Sequence, residues 1–410
     1  MNLWLLVWSY LRSRPLNTAL NILLLGLGIA VVTLVIVVNH QLQQKVISNS
    51  RGIDMVVGAK GSPMQLILCN IFHVDFPTGN IRLREAERIA RHRLVRRAIP
   101  LALGDSYQGY RIVGTIPAYA ELYHGKVRQG QLWEAPMEVV LGDAVARALQ
   151  LDVGSRFLSS HGLSASGHAH EEHGFLVSGI LERTNSVLDD LIITSVESIW
   201  LVHDVRGVGG ARPLVASPLI PSVAAGDSIK EITALLIQYR SAMGAVQLPR
   251  WVNSQSNLQA ASPAFETARL FSIVGIGVDI LKAFASVLIF ISALSIFIAL
   301  YNSLKERKYD LAIMRSMGAS RGRILLAVLL EGMILALTGA CFGILLAHII
   351  LIVSPSVLGD ANTSGITGLI FLPQEGIILV AGLLLGIVCA LLPALQAYKT
   401  DISRVLASAQ

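Results

Sequence analysis

Residues 16–38 read LNTALNILLLGLGIAVVTLVIVV, an apolar run of 23 residues without a charged side chain. A helix rises about 1.5 Å per residue, so this run is long enough to cross the roughly 30 Å hydrocarbon core of a bilayer. Its apolar core is longer than that of a cleaved signal peptide, and no A-x-A sequence follows Val38. The run therefore predicts a retained transmembrane helix.

Three further runs, which are almost entirely apolar, occupy residues 281–304, 324–353 and 376–397. Hydrophobic residues make up 53% of the chain and charged residues only 15%, whereas a soluble domain has roughly 25% charged residues. This composition argues against a purely soluble enzyme, a disordered chain and a nucleic-acid-binding protein. We therefore predict a membrane protein with four transmembrane helices and a large domain inserted between the first and the second.

Basic residues cluster at the ends of these runs that would face one side of the membrane. They are Arg12 and Arg14 before the first run, Lys305, Arg307, Lys308, Arg315, Arg321 and Arg323 between the second and third, and Lys399 and Arg404 after the fourth. Positive charge marks cytoplasmic loops and also binds anionic lipid headgroups. The segments expected in the cytoplasm are the amphipathic N-terminus 1–15, the loop 305–323 and the tail 398–410. Those expected outside are residues 39–280 and the loop 354–375, which has no Lys or Arg.

The large external region mixes strand-like and helical patterns, which predicts an α+β domain on the outer side of the membrane. Strand-like runs occupy Asp54–Val57, Arg111–Gly114, Glu138–Leu141, Phe175–Ile180 and Leu191–Thr194, and helical patterns cover Leu83–Ala98, Asp143–Leu149 and Ile229–Met243. The two ends of the region, residues 39–50 and 265–280, are predicted to prolong the first and second spans as a helical stalk.

The predicted helix Leu83–Ala98 lies in a densely basic stretch. Its arginines, counted from the residue just before it, are Arg82, Arg84, Arg88, Arg91, Arg93, Arg96 and Arg97. Two interpretations remain open. The arginines form the solvated side of an amphipathic surface helix, or they contact anionic lipid or an acidic partner protein.

Residues 159–174 form a loop-rich insert with the sequence SSHGLSASGHAHEEHG. It contains His161, His168, His170 and His173 together with two carboxylates. Imidazoles and carboxylates are ligands that Zn²⁺ accepts, but this spacing matches no closed structural zinc site, and a His-rich tract is a compositional hint only. Adventitious or absent metal binding is one interpretation. The other is a Zn²⁺ site of a metal-responsive membrane sensor or metal-homeostasis factor.

Three ionisable residues lie in or near the predicted spans. Such groups are costly in a membrane and are functional candidates. Lys282 and His348 lie near span ends, where snorkelling or interfacial hydration explains them. Glu331 lies about 10–12 Å along the third span from Ile324. We expect its side chain to face a helix-bundle or dimer interface rather than lipid.

The loop 305–323 begins with KERKYDLAIMRSMGASR, residues 305–321. Leu311, Met314 and Arg315 fall on one face of a helix. Gly318 is suited to ending that helix, and Ser320 to capping the next one. The segment is either an interfacial linker or a short coupling helix that docks a cytoplasmic partner. No G-x-x-x-x-G-K-[ST] motif occurs in the chain, so we do not expect this chain to hydrolyse ATP.

Residues 306–320 resemble the E-R-x-x-E-(I/L)-(A/G)-x-(L/M)-R-x-(L/M)-G-A-(S/T) stretch of FtsX/MacB-like ABC transporter permeases. Glu331 matches an acidic position that is frequent in the third span of that family. The sequence from Pro393 to Ala397 resembles the closing P-A-x-x-A pattern, although Asp401 stands where the family usually has Pro. Residues 138–154 resemble a stretch of the family's outer domain, and the order of one span, a large domain and three spans also agrees.

The resemblance implies a permease of the bacterial inner membrane that works as a dimer with two copies of a separate ABC ATPase subunit, which binds ATP and Mg²⁺. The second permease would be another copy of this chain or a related one. The implied ATPase-coupling residues are Glu306, Tyr309, Leu311, Met314, Arg315, Met317 and Gly318. Motion would travel along one continuous helix, from the stalk into residues 305–315, to the outer domain. This mechanotransmission would export or extract a periplasmic, lipid-linked or peptide-like substrate, with a periplasmic lipoprotein or adaptor as a further partner.

Overall fold

The computed structural model describes residues 3–161, 169–203, 230–358 and 366–399. The chain divides into two compact units. The membrane unit comprises Met1–Leu42 and Val274–Gln410, and the α+β unit comprises Gln43–Ile273.

Helices dominate the membrane unit, and helices and strands alternate in the α+β unit. The helices are α1 (Leu3–Ser13), α2 (Pro15–Ser50), α3 (Pro63–Asn70), α4 (Leu83–Ala90), α5 (Ala118–Leu122), α6 (Asp143–Leu149), α7 (Val196–His203), α8 (Ala242–Gln255), α9 (Pro263–Glu306), α10 (Lys308–Ser316), α11 (Arg321–Leu358) and α12 (Pro373–Lys399). The strands are β1 (Met55–Ala59), β2 (Ile81–Arg82), β3 (Val95–Tyr107), β4 (Tyr110–Thr115), β5 (Val127–Gly130), β6 (Glu138–Leu141), β7 (Arg156–His161), β8 (Ala169–Leu181), β9 (Leu191–Ser195), β10 (Glu231–Ile232), β11 (Ala234–Tyr239) and β12 (Leu258–Ala261).

In the described part of the chain, four helices are long and apolar enough to cross a membrane: α2, α9, α11 and α12. They contain the four apolar runs of the sequence, so the predicted fold class is confirmed. Helix α2 continues to Ser50 and helix α9 begins at Pro263. Both helices therefore also cover the residues that the sequence predicts as stalk.

Helix α11 packs closely against α2 and α12 through glycines. A Cβ atom on Gly343 would lie 2.5 Å from the carbonyl oxygen of Gly26 in α2. A Cβ atom on Gly386 in α12 would lie 2.6 Å from the carbonyl oxygen of Gly332. Small residues let membrane helices approach each other at this range. Helix α11, which carries Glu331 and His348, is therefore closely packed against both α2 and α12.

The α+β unit is built on a mixed sheet with the strand order β12-β1-β11-β3-β4-β9-β6-β8-β5, and β7 pairs with β3 and β8. Most neighbouring strands are antiparallel, whereas the pairs β4–β9 and β6–β8 are parallel. The short strands β2 and β10 form a separate antiparallel pair.

Helices cover both faces of this sheet. Helices α4 and α8 contribute Ile89 and Leu248 to the core on one face, where Val57 of β1 also points. Helices α3 and α5 contribute Leu66 and Tyr119 to the core on the other face. Because strand side chains alternate between faces, the central strands are buried on both sides.

This double burial explains two wrong predictions. The helix predicted over Leu83–Ala98 ends at Ala90, and strand β3 begins at Val95. The helix predicted over Ile229–Met243 is replaced by β10 and β11, and α8 begins only at Ala242. A strand buried on both faces is a continuous apolar run and lacks the alternation that separates it from a helix.

The His-rich insert is also less loop-like than the sequence predicts. Strand β7 extends to His161 and strand β8 begins at Ala169, so strands enter residues 159–174 from both sides. The pairing of β7 with β8, which includes Ser160 opposite Ala169, accounts for this extension.

Candidate functional site

The predicted coupling helix exists as a separate element, α10. Helix α9 ends at Glu306, and Arg307 leaves helical geometry with φ −91° and ψ 10° before α10 begins. The expected continuous helix into residues 305–315 is therefore wrong, because it is interrupted at Arg307. Gly318 adopts φ 96°, a conformation that favours glycine and ends the helix. The Ser320 hydroxyl accepts a hydrogen bond from the backbone N–H of Arg323 at 3.4 Å and caps α11.

The inner face of α10 packs within the membrane unit. Leu311 is buried in a cluster that Met314 also contacts. The other buried members of this cluster are Leu304, Ile324, Val328, Ala394 and Ala397, which come from α9, α11 and α12. Among the predicted coupling residues, Leu311 and Met314 therefore anchor α10 to its own bundle.

The opposite face of α10 is apolar and exposed. We call Tyr309, Ile313 and Met317 the α10 outer face, since they follow one another at one-turn spacing. Met317 is 82% exposed and Tyr309 50% exposed. Arg315 is partly buried, and Glu306 is exposed and forms an ion pair with Arg14. The seven predicted coupling residues thus divide between an anchoring side and an outward side.

Arg307 connects three helices at the start of α10. One of its guanidinium nitrogens, Nη1, lies 3.6 Å from a carboxylate oxygen of Glu331 in α11, and both side chains are nearly buried. Nη2 donates hydrogen bonds of 3.3 Å to the Tyr10 carbonyl and the Ser13 hydroxyl of α1. The guanidinium carbon lies 3.7 Å from the centre of the Tyr10 ring, within cation–π range. We call these residues the Arg307 hub.

The surroundings of the Arg307 hub suit a buried cation. Burial raises the pKa of Tyr10, an effect that Arg307 opposes, so the ring is neutral at neutral pH and offers its π face. A cavity of about 20 Å³ adjoins the pair, and its mostly apolar lining also includes Tyr10, Ser303, Arg323 and the pair itself. This volume has room for about one water molecule. Glu331 thus lies inside the helix bundle rather than towards lipid.

A second polar cluster lies at the other end of α11. His348 is only 4% exposed, so its explanation by snorkelling or interfacial hydration is wrong. Its Nδ1 lies 2.6 Å from the Gly368 carbonyl oxygen, and its Nε2 lies 3.1 Å from a Glu375 carboxylate oxygen. Beside it, the Gln41 side chain forms two hydrogen bonds of 2.8 Å with the backbone of Thr367. Together these contacts fasten the segment before α12 to α11 and α2.

Lys282 is placed differently from His348. Its ammonium group lies 3.5 Å from Asp279 and its side chain is half exposed. This position agrees with interfacial hydration at the end of a span.

The predicted metal ligands are not assembled by the described part of the structure. The side chains of His161, His170 and His173, and all of His168, lie outside the described residues. The backbone pairing of β3 with β7 places His161 opposite Asp105. Within the described residues, no group of three or more His, Cys, Asp or Glu residues is arranged to hold a metal ion.

Two residues that pair with buried ionisable residues of the spans were not predicted from the sequence. Arg307 lies 24 positions before Glu331 in the chain, and no local pattern joins them. Glu375 lies 27 positions after His348 and, in the sequence, is the last residue of the loop 354–375. The sequence nonetheless indicates that such partners exist. A buried ionisable residue in a membrane requires a partner, and Arg307 and Glu375 are ionisable residues that flank neighbouring spans.

These features define a class: an integral membrane protein with a short helix between its second and third spans and one inserted α+β domain. The sequence model of the MacB-like periplasmic core domain matches residues 18–238, more than half of the chain. The model of the FtsX-like permease C-terminal domain matches residues 282–402. The chain therefore belongs to the FtsX/MacB-like family of ABC transporter permeases, and its α+β unit is a periplasmic-type domain.

Several solved structures are similar to part of the chain, including the following two. The periplasmic region of MacB from Actinobacillus actinomycetemcomitans is 13% identical, with 55% of this chain and 98% of that chain covered and a TM-score of 0.35. The extracellular domain of the noncanonic ABC-type transporter YknZ from Gram-positive bacteria is 10% identical, with 51% and 99% covered and a TM-score of 0.30. A comparison with curated proteins finds no significant match.

Proposed function

We propose that this chain is the mechanotransmitting permease subunit of an ABC transporter in the bacterial inner membrane, with both termini in the cytoplasm. Two copies of a separate ATPase would dock on a permease dimer, and ATP hydrolysis there would move the α+β unit in the periplasm. The dimer partner is a second copy or a related permease. The cargo is a periplasmic, lipid-linked or peptide-like substrate, handled with a lipoprotein or adaptor.

The observation that supports this proposal most directly is the two-sided character of α10. Its inner side, with Leu311 and Met314, packs against α9, α11 and α12. Its outer side presents Tyr309, Ile313 and Met317. Large apolar side chains exposed on a short basic helix are typical of a docking surface for another protein. A helix anchored on one side and exposed on the other can transfer a push from a partner into its own bundle.

The Arg307 hub would transmit a force on α10 to the neighbouring helices. A force on α10 reaches Arg307 at its first turn, and Arg307 contacts Glu331 in α11 and Tyr10 and Ser13 in α1. Three helices would therefore respond together. Coupling of this kind requires an element with two conformations. The ATPase site and the α+β unit must each shift the equilibrium between these conformations. We propose the Arg307 hub as that element.

The test compares Met317→Glu with Leu369→Glu, a matched change of an exposed apolar residue elsewhere in the membrane unit. Leu369 is 75% exposed, close to the 82% of Met317. The full-length chain is purified with the ATPase that accompanies it and is reconstituted in lipid. We expect Met317→Glu to reduce ATPase association and stimulation at least about tenfold, because a charge replaces a desolvated apolar contact. Leu369→Glu is expected to behave as wild type.

Three outcomes would overturn the proposal. They are recovery of no ABC ATPase with the wild-type chain, full stimulation by Met317→Glu, or an equal loss in Leu369→Glu. Thermal unfolding of each variant separates lost docking from lost folding. Met314→Glu is a poor probe for this purpose, because Met314 contacts the buried cluster and the substitution would also destabilise the bundle.

A further inference from the structure

We propose that the α+β unit binds an acidic, partly apolar segment of a partner protein on a surface formed by α4 and α8. We call it the α4–α8 surface, and its exposed residues are Arg88, Arg91, Arg240, Met243, Val246 and Arg250. The proposal concerns the α+β unit alone and is independent of the coupling through α10.

Contacts join α4 and the segment that follows it to α8 and to Arg240, which precedes α8. The guanidinium carbon of Arg88 lies 5.6 Å from the centre of the Trp251 ring. The His92 ring lies 5.0 Å from the same ring. The backbone N–H of Arg240 donates a 2.9 Å hydrogen bond to the Leu94 carbonyl, just beyond α4. Arg88 and Arg240, which come from separate parts of the chain, thus lie on neighbouring segments.

The charge of the α4–α8 surface is positive and only partly offset. Glu87 forms an ion pair of 3.5 Å with Arg91, and Glu85 also lies on α4. The Asp54 carboxylate accepts a hydrogen bond from the backbone N–H of Tyr239. Helix α8 itself contains no Asp or Glu. Arginine binds carboxylates through a planar fork of donors, so this surface favours an acidic ligand.

The surface also has an apolar part. Met243 is 53% exposed and Val246 is 59% exposed, and they lie one turn apart on α8. Arg250 follows one turn further along the same side. A ligand complementary to Met243, Val246 and Arg250 carries apolar side chains next to carboxylates. An acidic amphipathic segment of a protein has this pattern.

A protein segment fits better than a membrane surface. An anionic bilayer presents a continuous negative field, which would repel Glu85 and Glu87 of α4. A protein segment places its carboxylates individually, opposite the arginines, and leaves those two glutamates in solvent. The alternation of acidic and basic residues on α4 therefore favours a patterned partner.

The experiment measures peptide binding by the full-length chain in phosphatidylcholine nanodiscs. One probe is a fluorescent peptide of repeated Glu-Glu-Leu-Leu blocks, and the second is a Glu-only peptide of equal charge. We expect R240E/R250E to weaken binding of the Glu/Leu peptide roughly tenfold, since two exposed attractions become repulsions. M243S/V246S should weaken the Glu/Leu peptide severalfold and leave the Glu-only peptide unchanged.

The matched control is R156E/R183E, which changes the net charge equally at exposed arginines away from this surface. An equal loss in this control, or no measurable binding by the wild-type chain, overturns the proposal. Displacement of the peptide by phosphatidylglycerol vesicles with the same residue dependence would overturn it as well, because the surface then binds membrane. The assay contains no ATPase, so its failure leaves the coupling proposal untouched.

Discussion

Two buried histidines, one in each unit, lie in opposite surroundings. In the membrane unit, both ring nitrogens of His348 face acceptors, the Gly368 carbonyl and the Glu375 carboxylate. In the α+β unit, Nε2 of His73 lies 2.9 Å from the Tyr119 hydroxyl. The Nδ1 atom of His73 has no hydrogen-bond partner among the described residues.

The two rings differ in their hydrogen-bond partners and in their surroundings. His348 lies between two acceptors, one of which is a carboxylate. Burial, and secondarily the nearby Arg111 cation, lower the pKa of His73 to about 3, so that ring is neutral at neutral pH. The membrane unit therefore stabilises a buried ionisable residue by pairing it, whereas the α+β unit keeps His73 uncharged. Arg307 and Glu331, also nearly buried in the membrane unit, are likewise paired with each other.

The largest effect is expected where pairing is broken most completely. Arg307→Ala leaves the buried Glu331 carboxylate without the guanidinium and also removes the contact with the Tyr10 ring. We expect a loss of about 3–5 kcal/mol in the free energy of unfolding, the usual result of removing one partner of a buried pair. Thermal unfolding of the full chain in detergent measures it.

Two controls sharpen that experiment. Arg321→Ala removes an exposed arginine from the same unit and should change stability by less than about 0.5 kcal/mol. R307A/E331Q removes the stranded charge and should recover part of the loss. Equal stability of Arg307→Ala and Arg321→Ala would show that the pairing of Arg307 contributes nothing.

His348→Ala is expected to have the next largest effect, about 2–3 kcal/mol. It removes the partner of one Glu375 oxygen and of the Gly368 carbonyl, but the other Glu375 oxygen still accepts the N–H of Leu372 at 2.9 Å. The unfolding midpoint of H348A should therefore rise again in H348A/E375Q, where no unpaired carboxylate is left. A double variant less stable than H348A would argue against pairing as the reason for the burial of His348.

The neutral His73 predicts acid sensitivity of the α+β unit. Its pKa is about 3 when folded and about 6.5 when unfolded, so below pH 6.5 the unfolded chain binds a proton that the folded chain does not. Stability then falls by about 1.4 kcal/mol per pH unit, or about 2 kcal/mol at pH 5.0. Urea unfolding of the full chain at pH 7.5 and 5.0, followed by tryptophan fluorescence, measures the loss.

His73→Asn should remove that part of the pH dependence. Asn tolerates the left-handed backbone of His73, where φ is 55°, and has no titrating group. His124→Asn is the matched control, because His124 has φ 56° and is exposed. Equal pH dependence in H73N and the wild-type chain would contradict a neutral buried His73.

The four spans and α10 can be predicted from the sequence, whereas the pairing of buried residues and the position of β3 cannot. The four spans follow from apolar runs such as residues 16–38, because a bilayer imposes a length and a composition. Helix α10 follows from the helical spacing before Gly318. The pairing of His348 with Glu375, and of Arg307 with Glu331, depends on how helices pack. No local sequence pattern indicates it. Strand β3 differs from the predicted helix for a related reason, since its burial on both faces is set by neighbours distant in the chain.

The smallest effect is expected for Tyr119→Phe, which removes the hydroxyl that contacts His73. Because His73 is neutral, the loss is that of one uncharged hydrogen bond, about 1 kcal/mol at pH 7.5. The pH dependence should persist in Y119F, since burial and Arg111 remain, and these lower the pKa. Urea unfolding at both pH values distinguishes this from a charged pair. A loss as large as that of His348→Ala would mean that the Tyr119 hydroxyl stabilises a protonated His73, which would contradict the neutral state of this ring.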